Sequence, residues 1–261
     1  MKAVYFLGDR KLEVRDAPDP APGPGEVILE IKASGMCGSD LKCYRAADGA
    51  DSIGLGKKSD KPIIAGHEPC GVVAEVGKGV WSPLAKVGMR VMNHHYAGCG
   101  CCHQCRGGWT QMCDQGSITF GANGDGAHAK FMKVPADSLV GLPDDLSFQA
   151  GAAISCGTGT AWGGLDRLGL RGSETIAIFG QGPVGLSGTQ LASAMGARVI
   201  ALDSEASLQG REPALRTRAR QLQGFGCALY GLVAAAGRGR AHHGRAPHDR
   251  GAPDGQVSPH H

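Results

Sequence analysis

The chain has 261 residues, of which 42% are hydrophobic, so it can bury a core and does not have the composition of a disordered protein. Its net charge of +3 is unevenly spread, because residues 1–208 hold 19 basic and 21 acidic side chains, whereas residues 209–261 hold 8 arginines and 3 acids. The near-neutral charge of residues 1–208 argues against nucleic-acid binding by this part of the chain. No apolar run is long enough to cross a membrane.

The first residues also carry information about the compartment. The apolar stretch at residues 1–7 is too short for the hydrophobic part of a secretory signal. We therefore expect a cytoplasmic protein with no nucleic-acid or membrane partner. In that compartment thiols are reduced, so the ten cysteines are expected to be metal ligands or buried side chains rather than disulfides.

The pattern of the first 150 residues predicts a β-rich domain. Short hydrophobic runs at 27–31, 71–76 and 130–134 predict strands, and Gly-, Pro- and Asn-rich turns separate them. The polar, Gly-rich stretch 45–61 predicts a surface loop near a functional site rather than a linker between domains.

A cluster of cysteines follows within this β-rich part. Four of them are spaced three, three and eight residues apart, and four thiolates saturate a tetrahedral zinc without leaving an open position. The spacing predicts a structural zinc site. Disulfides and a nucleic-acid-binding zinc ribbon are the alternatives, disfavoured by the reducing compartment and by the lack of two well-separated cysteine pairs. Cys101 is a fifth cysteine of this segment, and the four predicted ligands are Cys99, Cys102, Cys105 and Cys113.

From Ser147 onward the pattern changes to alternating helices and strands. Ser147 can cap a helix of small residues at 150–168. The continuous apolar runs 175–179 and 199–202 predict strands of a parallel sheet that are buried on both faces. A helix that Gly196 ends connects them, which completes a βαβ unit.

The turn after the first of these strands fits the pattern Gly-x-Gly-x-x-Gly, with Gly180, Gly182 and Gly185 in the three glycine positions. Such a turn lets a pyrophosphate approach the N-terminus of the following helix. Asp203 ends the second strand, where a carboxylate bonds the ribose hydroxyls of NAD and repels the extra phosphate of NADP. The strand–turn–helix context makes this a dinucleotide site that prefers NAD.

The last segment departs from this pattern. After Lys133 there is no lysine, after Ile200 there is no isoleucine, and from residue 209 onward Ala, Gly, Arg, Pro and His make up 35 of 53 residues. We expect the tail to be largely disordered, with a frameshift near residue 208 as one explanation and an arginine-rich interaction arm as the other. We also expect the third strand of the nucleotide sheet to be missing or badly formed, and the chain not to be a self-sufficient dehydrogenase.

A second possible metal set is spread along the chain. Cys37 begins a Cys-Gly-Ser-Asp motif, His67 lies in a Gly-His-Glu motif, and Cys156 lies in the small-residue helix. Each alone is more often a buried structural residue. Together they match the three protein ligands of a catalytic zinc whose fourth position stays open.

The order of these motifs resembles that of the zinc-containing medium-chain dehydrogenases over about residues 1–208. The resemblance implies an α/β protein in which residues 1–150 form a GroES-like β-rich catalytic domain and residues 151–208 begin a Rossmann-type NAD-binding domain that is truncated. Residues 209–261 then form an atypical basic tail. The resemblance also implies two zinc ions, one catalytic and one structural, and NAD as cofactor.

The resemblance assigns roles within the active site. Cys37, His67 and Cys156 would hold the catalytic zinc, with Glu68 close behind it as an alternate ligand. Ser39 would accept the substrate proton, and an ordinary turn serine is the alternative. Asp40 would orient the ligand histidine, His67. Thr160 and Val184 would pack near the nicotinamide, and simple helix packing is the alternative for these two residues.

Two residues refine the expected activity. Lys42 stands where many family members carry a histidine that passes the proton onward. Cys156 stands where polyol and threonine dehydrogenases of the family use an acid, which favours an alcohol dehydrogenase acting on a small alcohol or carbonyl. The alternatives are a polyol or threonine dehydrogenase and an inactive, truncated zinc-binding remnant. A homo-oligomer is expected if the nucleotide domain is complete.

Overall fold

The structure, a computed structural model, describes residues 1–47, 62–203 and 231–233. Most of the predicted surface loop and nearly all of the basic tail lie outside the described residues, so the expectation of a disordered or frameshifted tail stays a prediction. The strands are β1 (Lys2–Gly8), β2 (Lys11–Asp16), β3 (Glu26–Gly35), β4 (Glu68–Val76), β5 (Arg90–Asn93), β6 (Tyr96–Ala97), β7 (Ile118–Thr119), β8 (Phe131–Pro135), β9 (Leu139–Gly141), β10 (Thr175–Phe179), β11 (Arg198–Leu202) and β12 (Gly231–Val233). The helices are α1 (Gly38–Arg45), α2 (His103–Arg106), α3 (Phe148–Ala153), α4 (Gly159–Leu168) and α5 (Pro183–Ala194).

The β-rich part is built on an antiparallel sheet of five strands in the order β8-β3-β4-β5-β9. The predicted strands at 27–31 and 71–76 fall within β3 and β4, and the one at 130–134 overlaps β8 except for its first residue. Leu29 and Val73 are register partners in neighbouring strands and are both almost fully buried, as is Val134 of β8. These side chains belong to one hydrophobic core, so the alternation of apolar residues determines which face of the sheet turns inward.

The segment predicted as one helix over 150–168 is instead two helices joined by a π-helical turn at Ile154–Thr158. Ser147 caps α3 as predicted, because its hydroxyl accepts the backbone N–H of Ala150 at 3.1 Å. A π-turn inserts an extra residue into the helical ladder and is frequent at functional sites. Periodicity could not reveal it, because the apolar and small residues of this stretch follow a helical pattern on both sides of the turn.

The second sheet contains the predicted βαβ unit. β10 and β11 pair in parallel, and α5 connects them. Ile176 and Ile178 of β10 are buried against Leu165 of α4 and Ala192 of α5. The prediction that both strands are buried on both faces is wrong for the described part of the chain. Both helices cover the same face, which leaves outward residues such as Ile200 38% exposed.

The third strand of this sheet is β12, which lies on the other side of β10. It is three residues long and pairs antiparallel, with Leu232 opposite Ile178. A dinucleotide-binding sheet of the predicted type is mostly parallel. Within the described residues, the sheet therefore departs from that pattern beyond Asp203, as the change in composition led us to expect.

Candidate functional site

The predicted ligand residues from distant parts of the sequence come together at one place. Cys37, His67, Glu68 and Cys156 each offer a ligand atom, and these atoms all lie within 4.8 Å of one another. The Sγ atoms of Cys37 and Cys156 are 3.9 Å apart, although the residues are 119 positions apart in sequence. The structure thus brings together the set that motif order suggested.

Local structure explains how each ligand is positioned. Cys37 lies directly before α1, His67 directly before β4, and Glu68 is the first residue of β4. Cys156 is buried in the π-turn between α3 and α4. A Cβ on Gly35 would overlap the carboxylate of Glu68, so a glycine is required there for Glu68 to point into the cluster.

The chemistry of the cluster suits a cation. Hydrogen bonds from Cys156 and His67 lower the pKa of Cys37 to about 2. Burial, and then the negative charge of Cys37, raise the pKa of Glu68 to about 7. The hydrogen bond with Cys37, and then burial, raise the pKa of Cys156. A cation at this place would compete with protons for the same ligand atoms. A divalent metal ion that displaces those protons would fit these four donors.

A buried acid holds the histidine in place. His67 Nδ1 lies 3.0 Å from Asp40 Oδ1, and Asp40 Oδ2 accepts the backbone N–H of Cys37 at 2.9 Å. Burial opposes protonation of His67, but Asp40 and Cys37 outweigh it and raise its pKa to about 10. In the neutral ring the proton on Nδ1 faces Asp40, which leaves Nε2 free to coordinate a metal.

Ser39 lies on the coordinating side of the same ring. Its hydroxyl oxygen is 3.3 Å from His67 Nε2, so it stands beside the ligand cluster rather than in an unrelated turn. Lys42, one turn further along α1, is exposed. An ammonium group is a donor only and cannot take a proton from Ser39 while it is charged.

The four-cysteine cluster forms a separate lobe around α2. The Sγ atoms of Cys99, Cys102, Cys105 and Cys113 lie within 4.8 Å of one another. Backbone N–H groups point at the sulfurs: Cys105 N lies 3.4 Å from Cys102 Sγ, and Cys99 N lies 3.3 Å from Cys113 Sγ. Backbone N–H groups of the same loop lower the pKa of Cys99 to about 6. Four converging thiols with N–H···S hydrogen bonds fit a closed tetrahedral metal site.

The glycine-rich turn has the shape that a pyrophosphate needs. Gly180 has a φ of +81°, and a Cβ on Gly185 would overlap the carbonyl oxygen of Gly180, so neither position accepts a larger residue. A Cβ on Gly182 would meet no atom within 4 Å, which leaves open space at the start of α5. Asp203 Oδ2 accepts the backbone N–H of Gln181 at 2.9 Å, so the carboxylate lies beside the turn.

The turn and the ligand cluster are neighbours. A Cβ on Gly157 would lie 3.8 Å from Pro183, and the hydroxyls of Thr158 and Ser187 are 3.0 Å apart. The π-turn that carries Cys156 therefore packs against the first turns of α5. A dinucleotide bound at α5 would have its reactive end near the metal ligands.

The two residues predicted to lie beside the nicotinamide are both exposed at the starts of helices. Thr160 is in the first turn of α4, and Val184, which is 36% exposed, is in the first turn of α5. Val184 is not packed in the core, which weakens the alternative that it serves helix packing.

Sequence reasoning missed the aromatic group beside the cluster. The rings of His95 and His67 are 5.7 Å apart, and the rings of His95 and Tyr96 are 4.2 Å apart. Burial, and then the neighbouring His67, lower the pKa of His95 to about 4. The two residues follow β5 and lie just before the first cysteine of the lobe. Their place between two predicted metal sites was the signal that could have identified them.

Known proteins that are similar to this chain include several alcohol dehydrogenases. Residues 23–144 match the model of the alcohol dehydrogenase GroES-like domain. The chain is 38% identical over 205 residues to the uncharacterized zinc-type alcohol dehydrogenase-like protein YphC of Escherichia coli K12, which covers 78% of this chain and 58% of that protein. An alcohol dehydrogenase of Geobacillus stearothermophilus gives the same identity and coverage.

A solved structure described as an NAD-dependent alcohol dehydrogenase superposes with a TM-score of 0.69 at 30% identity, covering 79% of this chain and 59% of that one. The chain thus spans less than two thirds of the length of these relatives. In sequence, in fold and in the order of its motifs, this segment of the chain is similar to the zinc-type alcohol dehydrogenases, and its residues 23–144 match their GroES-like domain.

Proposed function

We propose that the protein is a zinc-dependent oxidoreductase that interconverts an alcohol and an aldehyde or ketone with NAD. The observation that supports this most directly is the convergence of Cys37, His67 and Cys156 beside the glycine-rich turn of α5. A three-ligand zinc site and a dinucleotide site that face each other are the two parts that hydride transfer from an alcohol requires.

Each ligand has a role in this proposal. Cys37, His67 and Cys156 hold the catalytic zinc, and Glu68 stands by as an alternate ligand. Zinc bound there supplies a Lewis acid that lowers the pKa of an alcohol or polarises a carbonyl. Ser39 accepts the hydroxyl proton of the substrate. An ammonium group at Lys42 has no free lone pair and so cannot take that proton onward.

The cofactor and the lobe complete the proposed machinery. NAD binds with its pyrophosphate at Gly180, Gly182 and Gly185, its ribose at Asp203, and its nicotinamide beside Thr160 and Val184. A second zinc in the four-cysteine lobe is structural. The substrate is a small alcohol or carbonyl compound.

The division into residues 1–150, 151–208 and 209–261 remains our proposal, as do a cytoplasmic location and a homo-oligomeric state. Within the part of the chain that the structure describes, no helix has the length and hydrophobicity to cross a bilayer.

Two alternatives have specific support. Sorbitol dehydrogenase of Bacillus subtilis and L-threonine 3-dehydrogenase of Rhizobium etli are also similar, at 34% and 32% identity. The remaining alternative is an inactive zinc-binding remnant. Alcohol-dependent NAD reduction, assayed with primary, secondary, polyol and amino-alcohol substrates, distinguishes an alcohol dehydrogenase from a polyol or threonine dehydrogenase. Zinc analysis with an NAD titration tests the inactive remnant, because a remnant would retain structural zinc and bind NAD poorly.

The acid that orients His67 gives a prediction about zinc affinity. Asp40→Asn should weaken zinc binding at the Cys37 cluster by about 10- to 100-fold, because the amide no longer fixes the tautomer of His67 with the same strength. Competition against a chelator measures this change. Asp145→Asn, a change at an exposed acid outside the cluster, is the matched control. Equal zinc affinity in Asp40→Asn and wild type would contradict the proposed role of Asp40.

The carboxylate beside the glycine-rich turn gives a prediction about cofactor choice. Wild type should bind NAD more tightly than NADP. Asp203→Ala should lower the ratio of the NADP and NAD dissociation constants by about 10- to 100-fold, which corresponds to the free energy of a hydrogen bond to a charged group. Dissociation constants for both cofactors, from titration of the zinc-loaded chain, measure this preference. A wild type that binds NADP more tightly than NAD would overturn the assignment.

A further inference from the structure

The four-cysteine lobe holds one thiol more than its metal site uses. The sulfurs of Cys99, Cys102, Cys105 and Cys113 converge, and Cys101 is not one of this group. The Sγ atom of Cys101 nevertheless lies 3.5 Å from that of Cys99. A thiol that neither the proposed reaction nor the proposed metal site uses therefore lies directly beside a predicted zinc ligand.

The backbone of the loop allows these two sulfurs to form a bond. Gly100, the residue between them, has a φ of +73°, a conformation that residues with a side chain rarely adopt. Residues two apart in an extended strand already lie within about 7 Å of each other, the upper limit for a disulfide, and a turn brings them closer. Only a small movement of the loop is then needed to join Cys99 and Cys101.

Both sulfurs are also accessible from solvent. Cys99 and Cys101 are exposed, whereas Cys113 of the same lobe is buried. In the other ligand group the sulfurs of Cys37 and Cys156 are 3.9 Å apart, but Cys156 is buried in the π-turn. A thiol is oxidised most readily where it is exposed and where a neighbouring thiol can complete a disulfide. The Cys99–Cys101 pair meets both conditions.

We propose that Cys99 and Cys101 form an oxidation site at which hydrogen peroxide joins the two sulfurs and releases the zinc ion of the lobe. The Cys101 thiol attacks the peroxide, the O–O bond breaks, and Cys101 becomes a sulfenic acid as water leaves. The Cys99 thiolate then attacks the Cys101 sulfur, which forms the S–S bond and expels hydroxide. Two electrons pass from the two sulfurs to the peroxide, and the metal keeps three protein ligands.

Loss of the ion follows from how the lobe is held together. A disulfide sulfur carries no charge and does not replace a thiolate, so the tetrahedral ligand set is incomplete. α2 is four residues long and has no buried side chain, so the metal supplies much of the stability of the lobe. This inference rests on the structural zinc of the proposed function and adds a reversible loss of that ion. Reduction of the disulfide by a thiol restores the fourth ligand.

The test exposes the zinc-loaded full chain to hydrogen peroxide and follows zinc release with a chromogenic chelator. Wild type should lose about one of its two zinc ions and regain it once dithiothreitol and zinc are added. Cys101→Ser, which removes the first sulfur to react, should release little zinc under the same conditions. Cys156→Ala, which we expect to hold only the lobe zinc, should release that ion at the wild-type rate.

Mass spectrometry of the tryptic peptide 91–106, with free thiols alkylated first, locates the bond independently of the metal. A disulfide between another pair, or zinc release from Cys101→Ser as fast as from wild type, would overturn the oxidation site. A Cys99–Cys101 bond that forms while both zinc ions stay bound would overturn the release. A lobe that holds no zinc before oxidation would contradict the structural zinc itself, and the peptide map separates that failure from a failure of the thiol pair.

Discussion

Replacing Cys156 with alanine is expected to remove one of two zinc ions per chain and to lower alcohol-dependent NAD reduction by about a thousandfold or more. The reason is geometric. The Sγ atom of Cys156 is 3.9 Å from that of Cys37, and the π-turn holds Cys156 in a buried position within the ligand cluster. Without it the cluster has lost one of the three ligands that a catalytic zinc requires.

Metal analysis measures the first effect directly, and it does so even where turnover is low. Cys43→Ala provides the matched control, because this cysteine lies on α1 outside the ligand group and its replacement should leave both zinc ions bound. If Cys156→Ala retained two zinc ions per chain, the assignment of Cys156 as a ligand would be wrong.

Sequence reasoning predicted which residues would converge because much of its evidence was chemical and local. Two-residue gaps between cysteines and a glycine pattern between a strand and a helix each restrict the backbone strongly. The grouping of Cys37 with Cys156 required more, since nothing in the intervening 118 residues encodes their proximity. Only the order of motifs, matched to a known family, predicted it, and the tertiary fold brings the two residues together.

The parts that sequence reasoning missed depend on tertiary packing. The π-turn at Ile154–Thr158 lies within a stretch that has a helical pattern, and no local sequence signal marks it. Its packing against Pro183 is visible only in the tertiary structure. The exposure of Ile200 depends on whether helices cover one face of the sheet or both. A continuous apolar run does not distinguish these two arrangements. His95 belongs to no motif, and its position beside His67 and Ser155 follows from the tertiary fold.

The second large effect is expected in the four-cysteine lobe. Cys105→Ser should remove the other zinc ion and lower the melting temperature by about 10 °C, because a closed thiolate site contributes folding free energy directly. Few other interactions replace it, since α2 is four residues long and contains no buried side chain. The lobe also contacts α4, because the guanidinium of Arg167 lies 4.9 Å from the ring of Trp109, so unfolding of the lobe would also remove a contact of α4.

Cys101 offers a control for this prediction within the same loop. Its Sγ lies 3.5 Å from that of Cys99, yet it is exposed and outside the group of four converging sulfurs. Cys101→Ser makes the same chemical change one turn away and should leave both the zinc content and the melting temperature near the wild-type values. Calorimetry and metal analysis on the three proteins test the assignment together. If Cys101→Ser lost zinc while Cys105→Ser kept it, Cys101 rather than Cys105 would be the fourth ligand, and the spacing of three, three and eight would have been misread.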